Sequence, residues 1–338
     1  MVSVCANRFF RHGGRIITLL LAGILTAFMA PLHAATAPER YPARPIRLIN
    51  PYAPGGLTDV VSRLIGRHIT EAWGQQVIVD SRGGGGTTIG TEIVVRAPSD
   101  GYTMLCTTAA LAMMPSFYPK LAFSTRKDLI PVALVSQVPG ALALNPRVPA
   151  RSVRELIDLA RAKPGQIAFG SAGTGSFVHL SLELFKSMAK VDIAHVPYKG
   201  GSLAVIDTIG GQLQGLFNPL PLVQGHAKNG RLRLLGVASL QRSEFAPELP
   251  TIAESGVPGF EAVVWSGVFA PAAVPRAVID KWNAEINRMQ NLPNARETFN
   301  AAGLTRLGGT REEFAAYFAR ETQRWAEIIR AAGIPIDQ

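Results

Sequence analysis

The stretch that decides the fold reads Ile46-Arg47-Leu48-Ile49-Asn50-Pro51-Tyr52-Ala53-Pro54-Gly55-Gly56-Leu57-Thr58-Asp59. An apolar, strand-like run ends here in a Pro/Gly turn and passes directly into an amphipathic helix, which we predict over 57–73. The first backbone N–H groups of a helix have no partner within it, and about half a positive charge sits at that end. The turn therefore predicts a site for an anion that needs no lysine.

Two later glycine-rich turns have the same character. They read Arg82-Gly83-Gly84-Gly85-Gly86-Thr87-Thr88 and Gly170-Ser171-Ala172-Gly173-Thr174-Gly175-Ser176, and each leads into a predicted helix. Glycine lets the backbone approach an anion closely, and hydroxyl groups supply neutral donors. Three such turns favour a protein that binds small carboxylates.

Residues 1–34 have the pattern of a secretory signal. A basic segment holds Arg8, Arg11 and Arg15, an apolar core runs from Ile16 to Ala30, and a cleavage site follows at Leu32-His33-Ala34, with Ala35-Thr36-Ala37 as the alternative. The core is shorter than the ~20 residues that a permanent membrane span needs. We therefore expect cleavage and a soluble periplasmic protein; the alternative is an uncleaved N-terminal anchor.

Composition argues against a disulfide framework and against a nucleic-acid partner. Cys5 lies in the predicted signal, which leaves Cys106 in the apolar run 102–107, where a buried structural thiol is expected. The net charge of the whole chain is +10; without the three signal arginines, 31 basic and 24 acidic residues leave about +7. These charges are scattered and no nucleic-acid module is recognisable, so we expect a basic, solvated surface.

Short apolar runs alternate with helical patterns, which predicts an α/β fold with largely parallel sheets. Two separate extended runs are expected at 129–136 and 141–144. Helices are expected over 57–73, 88–96, 152–163, 175–189, 201–210, 219–229, 275–290 and 311–332. On one face of the last lie Phe314, Phe318, Trp325, Ile328, Ile329 and Ala332, which should pack against a domain.

A mature chain of about 300 residues exceeds what one core usually holds, so we predict two domains. The first is discontinuous and comprises residues 41–135 and 245–338, and residues 136–244 are inserted as the second. Two chain crossings form a hinge, and the cleft between such domains can close on a ligand.

Several motifs run in register from Tyr41-Pro42 to the C-terminus. They include Pro54-Gly55-Gly56 with Asp59, Pro98-Ser99-Asp100-Gly101-Tyr102-Thr103, Gly170-Ser171-Ala172-Gly173, Ile193-Ala194-His195-Val196-Pro197-Tyr198-Lys199-Gly200 and Gly256-Val257-Pro258-Gly259-Phe260. Together they resemble the Bug-type, TctC-like substrate-binding receptors of tripartite tricarboxylate transporters. No single motif is decisive, but so many in register are a strong signal.

The resemblance implies a two-domain type II periplasmic binding protein fold, with neither catalysis nor a cofactor. It implies that an organic carboxylate is held between two loop walls of the first domain, largely by backbone N–H groups. One wall is carried over to Tyr52, Ala53, Pro54, Gly55, Gly56, Leu57, Thr58 and Asp59, and the other to Gly84, Gly85, Gly86, Thr87 and Thr88. The second domain would add Ser171, Thr174, Ser176 and His179 around the far end of the ligand.

Three segments depart from the family pattern. Gly83-Gly84-Gly85-Gly86-Thr87 replaces Pro-Gly-Ala-Gly-Gly, which should make that wall more flexible. Thr107 and Thr108, both candidate site residues, open a segment that more often carries a serine pair. The segment Leu216-Phe217-Asn218-Pro219 stands where Phe-Asp-Asn is common. In amino-acid-binding relatives a carboxylate in this region can face the ligand's ammonium. Because Asn218 lacks that charge, we expect a ligand without an ammonium group.

For several of these residues the sequence leaves a structural role open. Asp59 either orients a water at the ligand or only complements the positive helix end. Tyr52 either walls the pocket or packs within its strand, and Thr58 is either a helix cap or a ligand contact. His179 is either a ligand contact or a core histidine, and His195 is expected to be structural.

Enzymatic and metal-binding interpretations have less support. The run Gly173-Thr174-Gly175-Ser176-Phe177-Val178 lacks the G-x-S-x-G spacing of a nucleophile elbow. The glycine run at 83–86 is not followed by Gly-Lys-Ser/Thr, and the six histidines are too scattered for a metal site. A secreted enzyme remains a minor alternative.

We therefore predict a monomeric, exported receptor that captures a small organic carboxylate in an interdomain cleft and delivers it to integral membrane transporter subunits. Its mechanism would be an open–closed equilibrium biased by ligand contacts to both domains. The alternative is a ligand-occupied periplasmic sensor or adaptor that docks on a signalling partner.

Overall fold

The computed structural model describes residues 41–198, 200–331 and 333. From Pro42 onwards these residues belong to one structural unit. The predicted signal at 1–34, Lys199 of the motif that ends at Gly200, and Ala332 of the predicted last helix lie outside the described residues.

Ten strands and ten α-helices make up the regular structure of the described residues. The strands are β1 (Ile46–Asn50), β2 (Val77–Ser81), β3 (Thr103–Thr108), β4 (Leu129–Leu144), β5 (Ala168–Ser171), β6 (Ala194–Pro197), β7 (Gly215–Pro219), β8 (Arg233–Val237), β9 (Val263–Pro271) and β10 (Thr305–Arg306). The helices are α1 (Leu57–Trp73), α2 (Thr88–Val95), α3 (Ala110–Phe117), α4 (Val153–Ala162), α5 (Phe177–Ala189), α6 (Gly201–Gly210), α7 (Leu220–Lys228), α8 (Arg276–Gln290), α9 (Pro293–Ala301) and α10 (Arg311–Ala331). A short 3₁₀ turn, Gly85–Thr87, precedes α2.

The strands form one sheet in the order β2-β1-β3-β9-β4-β7-β5-β6, with β8 and β10 also paired to β4. Strands β2, β1 and β3 are parallel, and we call them the first half of the sheet. Strands β7, β5 and β6 are also parallel and form the second half. The centre differs from the prediction of largely parallel sheets, because every pairing of β4, and that of β9 with β3, is antiparallel.

Strand β4 connects the two halves. Sequence analysis predicts two separate runs here, whereas the structure has one strand of 16 residues. Its first part pairs with β9, from Leu129 to Pro139, and its last part pairs with β7 and β8. Pro131 and Pro139 do not end the strand, since its register shifts at a bulge after Pro131 and the chain remains extended at Pro139.

Aromatic side chains dominate the cores on the two halves of the sheet. In the first, Trp265, Phe269, Phe314 and Phe318 pack together with ring centroids 5.1–6.4 Å apart. In the second the core includes Phe169, Phe185, Phe217 and Phe260. As predicted, helix α10 packs through one face, on which Phe314, Phe318, Trp325 and Ile329 are buried and Ile328 is partly buried.

Most predicted elements agree with the structure to within two or three residues, and α1 begins and ends where predicted. Helices α3 and α9 are not predicted. Helix α3 is apolar around most of its surface and contains Pro115, so it lacks the amphipathic period of a surface helix. Cys106 is fully buried in β3, and burial raises the pKa of its thiol to about 12, which agrees with a structural role. Among the described helices, none is both long and apolar enough to pass through a bilayer.

Candidate functional site

A cavity of about 960 Å³ lies between the two halves of the sheet. Residues from both halves line it, and so do Ser136 and Val138 of β4 and Trp265 and Ser266 of β9. The cavity therefore spans the strands that connect the two halves.

The topology explains why the cavity is in this position. Each of the six parallel strands is followed by a helix, so α1, α2 and α3 follow β1, β2 and β3, and α5, α6 and α7 follow β5, β6 and β7. Parallel strands place their carboxyl ends at one edge of a sheet, and ligands of open α/β sheets bind beyond that edge. The two such edges of this sheet meet at the cavity.

As a result, six helices begin at the cavity wall. The lining includes the first residue or the residue before it in each helix: Leu57 of α1, Thr87 before α2, Ala110 of α3, Ser176 before α5, Gly201 of α6 and Pro219 before α7. Each helix contributes unpaired N–H groups and the positive end of its dipole. Their convergence makes the cavity favourable for an anion.

The carboxylate of Asp59 closes the first turn by accepting hydrogen bonds. The Gly55 N–H donates to Asp59 Oδ2 over 3.0 Å, and Arg63 Nε donates to the same oxygen over 2.9 Å. Burial raises the pKa of Asp59, but the bonds from Arg63 and Gly55 outweigh burial and hold it below its usual value. Gly55 and Asp59 do not line the cavity; the neighbouring Gly56 does. Asp59 therefore supports the turn from behind.

The second turn holds its threonine in a strained conformation. Thr87 has φ +80°, a left-handed backbone that β-branched residues rarely adopt. Its side chain is buried at the cavity wall, and Oγ1 makes no hydrogen bond within the described residues. Gly86 has φ +58°, and a Cβ there would collide with the Tyr118 hydroxyl. The glycines let this turn approach α3 closely.

Tyr52 and Thr108 meet at the carboxyl ends of β1 and β3. Their hydroxyl groups share a short hydrogen bond, and both residues line the cavity. Burial raises the pKa of Tyr52 to about 12, so the phenol stays protonated. Thr58 also lines the cavity. It does not cap α1, because the N-cap residue of this helix is Gly56.

The third turn places some predicted residues at the cavity and others beneath it. Thr174 and Ser176 line the cavity, while Ser171 and His179 are buried behind the loop. Ser176 is the N-cap of α5, and its Oγ accepts from His179 N over 3.4 Å and donates to Gly173 O over 2.6 Å. His179 therefore lies where a core histidine would, and it does not reach the cavity.

Thirteen of the predicted site residues line the cavity and seven do not. Those that do are Tyr52, Ala53, Pro54, Gly56, Leu57, Thr58, Gly84, Gly86, Thr87, Thr108, Thr174, Ser176 and Asn218. The others are Gly55, Asp59, Gly85, Thr88, Thr107, Ser171 and His179, which lie in or behind the same turns. Thr107 differs from Thr108 because successive residues of a strand face opposite sides, and it is fully buried.

Sequence analysis missed an apolar wall. It comprises Met113, Met114 and Phe117 of α3, Phe177 of α5, Leu222 of α7 and Trp265 of β9. Three of them, Met113, Met114 and Phe117, lie on α3, a helix that the sequence analysis does not predict. The wall faces the same space as the polar turns, so the cavity has a polar and an apolar surface.

The described residues contain no group of three His, Cys, Asp or Glu side chains placed to hold a metal ion. Among the described residues, the polar groups at the cavity are mainly hydroxyls, the Asn218 carboxamide and backbone. This set can bind an anion without an acid–base pair or a metal.

Comparisons with known proteins agree with this geometry. A family model described as "Tripartite tricarboxylate transporter family receptor" matches residues 61–334. Protein BugT of Bordetella pertussis is 38% identical over 94% of this chain and 98% of its own.

Two solved structures are also similar. One, from R. palustris, is described as Rpa4515 with adipate (31% identity, TM-score 0.80, 87% of this chain and 99% of that chain). The other is MatC of Rhodopseudomonas palustris with bound malate (27% identity, TM-score 0.75, 86% of this chain and 100% of that chain). The chain therefore belongs to the TctC family of tripartite tricarboxylate transporter receptors and has the two-domain fold of periplasmic solute-binding proteins.

Proposed function

We propose that this protein is a periplasmic receptor that captures a small organic carboxylate in its cleft and delivers it to integral membrane subunits of a transporter. The observation that carries the proposal is the meeting of six helix N-termini in one cavity. Such ends bind anions through backbone N–H groups and the helix dipole. Family membership supports the role in transport.

The carboxylate contacts are the N–H groups of the turns together with neutral hydroxyls. Thr87 is the side chain best placed for this role, because a buried hydroxyl without a partner is costly and such groups are rare. Its left-handed backbone adds a further cost in free energy, and such strained conformations are found mainly at functional sites. A ligand oxygen that accepts from Thr87 Oγ1 would satisfy that hydroxyl.

The body of the ligand lies against the apolar wall and carries no ammonium group. Phe177 and Leu222 offer aromatic and aliphatic surface to carbon chains or rings. Met113, Phe117 and Trp265 are buried in the same wall. Asn218 is 3% exposed and lines the cavity with a neutral carboxamide, so it has no charge to pair with an ammonium. Adipate and malate, held by the two similar structures, are carboxylates without an ammonium group.

The remaining parts of the proposal concern the whole molecule. Residues 41–135 and 245–338 form one domain and residues 136–244 the other, and they close on the ligand about the segments that cross between them. The protein works as an exported monomer after loss of residues 1–34, without a cofactor and without catalysis. The cavity of about 960 Å³ exceeds what a six-carbon acid fills, which supports closure on binding.

The test is thermal unfolding of the mature protein after it has been unfolded and refolded to remove any copurified ligand. The panel comprises adipate, malate, benzoate, glutamate and glucose. A ligand at 100 times its Kd stabilises the native state by about 2.7 kcal/mol, enough to raise Tm by several degrees. We expect a selective rise with one or more acids that lack an ammonium. A rise with glutamate alone would contradict the ligand class, and no rise with any acid would contradict the receptor function.

A further inference from the structure

Two histidines stack beneath the third turn of the cavity. The rings of His179 on α5 and His195 on β6 lie 3.8 Å apart between centroids, with an interplanar angle of 18°. Neither lines the cavity, but His179 contacts the loop 172–176, which does, and His195 contacts Ser171, directly before that loop. The pair thus lies directly behind a wall of the site.

His179 holds the loop through an acceptor nitrogen. The Gly175 N–H donates to His179 Nδ1 over 3.1 Å, so Nδ1 carries no proton. The ring proton is then on Nε2, which lies 3.7 Å from Glu183 Oε1. The hydrogen bond therefore requires a neutral ring.

His195 holds the same loop through Ser171. His195 Nε2 lies 2.6 Å from Ser171 Oγ. That hydroxyl accepts from Gly173 N over 3.1 Å and is within 3.2 Å of Gly173 O. If the hydroxyl donates to Gly173 O, His195 Nε2 donates to Ser171 Oγ, and a neutral ring with its proton on Nε2 can make this bond. Ser171 connects His195 to Gly173 in this way.

The segment that the histidines hold is bonded internally from Ser176 N and Oγ to Gly173 O, but it contains two glycines. Gly173 and Gly175 have φ +121° and +77°, a backbone that glycine adopts at low cost but also leaves readily. Between them Thr174 reaches the cavity, and Ser176 begins α5 there. Without anchors, the N–H groups of this turn would not keep a fixed direction.

We propose that His179 and His195 are positioning residues for the ligand site: the stacked, neutral pair fixes the loop 172–176 so that its donors face the ligand. This inference rests on the proposed carboxylate binding, which it deepens by identifying what orients one wall. It also assigns a role to two residues that do not touch the ligand.

The surroundings of the pair keep both rings neutral. Burial, together with the nearby charge of Lys186, lowers the pKa of His179 to about 4. The pKa of His195 is also lowered to about 4, mainly by burial; His179 and Lys186 act in the same direction, and Glu183 opposes them. Lys186 and Glu183 are themselves paired at 2.8 Å. A proton on His179 Nδ1 would face the Gly175 N–H, so acid releases the loop.

The experiment uses two substitutions at His179 and a control elsewhere. His179→Asn keeps an acceptor near the position of Nδ1 and does not titrate, whereas His179→Leu removes the acceptor. His68→Leu is the control, because His68 is also buried and hydrogen-bonded, to Glu285 Oε1 over 2.6 Å, but does not line or support the cavity. Ser171→Ala tests the second anchor independently in case His179→Leu does not fold. The ligand is the acid that gives wild type its largest thermal shift, and Kd is measured by calorimetry from pH 7 to pH 4.

At pH 7 we expect His179→Leu and Ser171→Ala each to raise Kd by about ten-fold, the effect of one lost hydrogen bond, with His179→Asn within about three-fold of wild type. The ligand's own carboxyl titrates at acid pH, so wild type is compared with His179→Asn at each pH. The ratio of the wild-type Kd to the His179→Asn Kd should rise as the pH falls from 6 to 4.

Three outcomes would overturn the inference: unchanged Kd in both His179→Leu and Ser171→Ala, an equal loss of affinity in His68→Leu, or a ratio that does not change with pH. Failure of wild type to bind any acid of the panel would instead overturn the proposed function.

Discussion

The backbone N–H of Gly55 donates to the carboxylate of Asp59, with 3.0 Å between Gly55 N and Asp59 Oδ2. Asp59 lies four positions after Gly55, and the bond closes the Pro/Gly turn at the start of α1. The bond fixes the turn that leads into Gly56 and Leu57 of the cavity wall, and such preorganisation reduces the entropy lost on binding.

Asp59→Ala tests this arrangement. Loss of the acceptor should lower the free energy of unfolding by about 1–2 kcal/mol, as for a lost helix cap. It should also raise Kd for the carboxylate, because the turn loses its fixed geometry. Asp59→Asn retains an acceptor oxygen and should lose less stability and less affinity for the carboxylate. Urea unfolding and calorimetry measure the two effects; equal values for Asp59→Ala and wild type would refute the role.

Asn218→Asp tests the ligand class. The new carboxylate would lie at the cavity wall in a nearly buried position and would repel an anion. We expect affinity for the preferred acid to fall by about ten-fold or more, which corresponds to the repulsion of like charges in a partly desolvated site. Calorimetry with the acid and with glutamate measures the change. An unaltered affinity for the acid would place the ligand away from Asn218.

The histidine pair predicts how stability depends on pH. In the folded protein the pKa of each ring is lowered from 6.5 to about 4, so the unfolded chain binds more protons between these values. Stability is therefore fully present above pH 6.5 and falls as the pH decreases towards 4. In His179→Asn the decline of Tm across this interval should be shallower than in wild type. Parallel Tm curves for the two proteins would show that His179 does not titrate as proposed.

Glu321 should matter for the cavity wall although it lies in the last helix. It is 5% exposed, and its Oε2 accepts from the indole N–H of Trp265 at 3.3 Å and of Trp325 at 3.1 Å. Glu321→Ala leaves both buried donors without a partner and should cost about 2–4 kcal/mol in the free energy of unfolding. Glu327→Ala, on an exposed position of the same helix, should change it by less than about 0.5 kcal/mol. Chemical denaturation of both variants measures the two changes in the free energy of unfolding. Equal changes would argue against the hydrogen bonds from the indoles to Glu321.

Local signals predicted the parts of the fold and site that depend on neighbouring residues. The Pro/Gly turn and the apolar period that follows placed α1 correctly, and the helix predicted from residue 152 begins there, with Ser152 Oγ accepting from Glu155 N as its cap. Residues in the same turns, such as Thr58 and Thr174, then reach the cavity because strand–turn–helix geometry is local.

The remaining features depend on contacts that are distant in sequence. The antiparallel direction of β9 is set by its return from the second half of the sheet, and an apolar strand has the same sequence pattern in either direction. Helix α3 has no amphipathic period, so Met113 and Phe117 could not be assigned to the site. His179 carries the residue type of a ligand contact, but its ring stacks on His195 of β6, and the sequence pattern does not connect these two elements.

The most direct test of carboxylate recognition is calorimetric titration of the refolded protein with one acid and its amide. The acid is the member of the panel with the largest thermal shift, and the amide keeps its shape while removing the charge. Recognition by helix N-termini predicts saturable binding of the acid and a Kd for the amide that is at least about 100-fold weaker, since charged acceptors bind such donors far more strongly. Equal affinity for the acid and the amide would contradict the account.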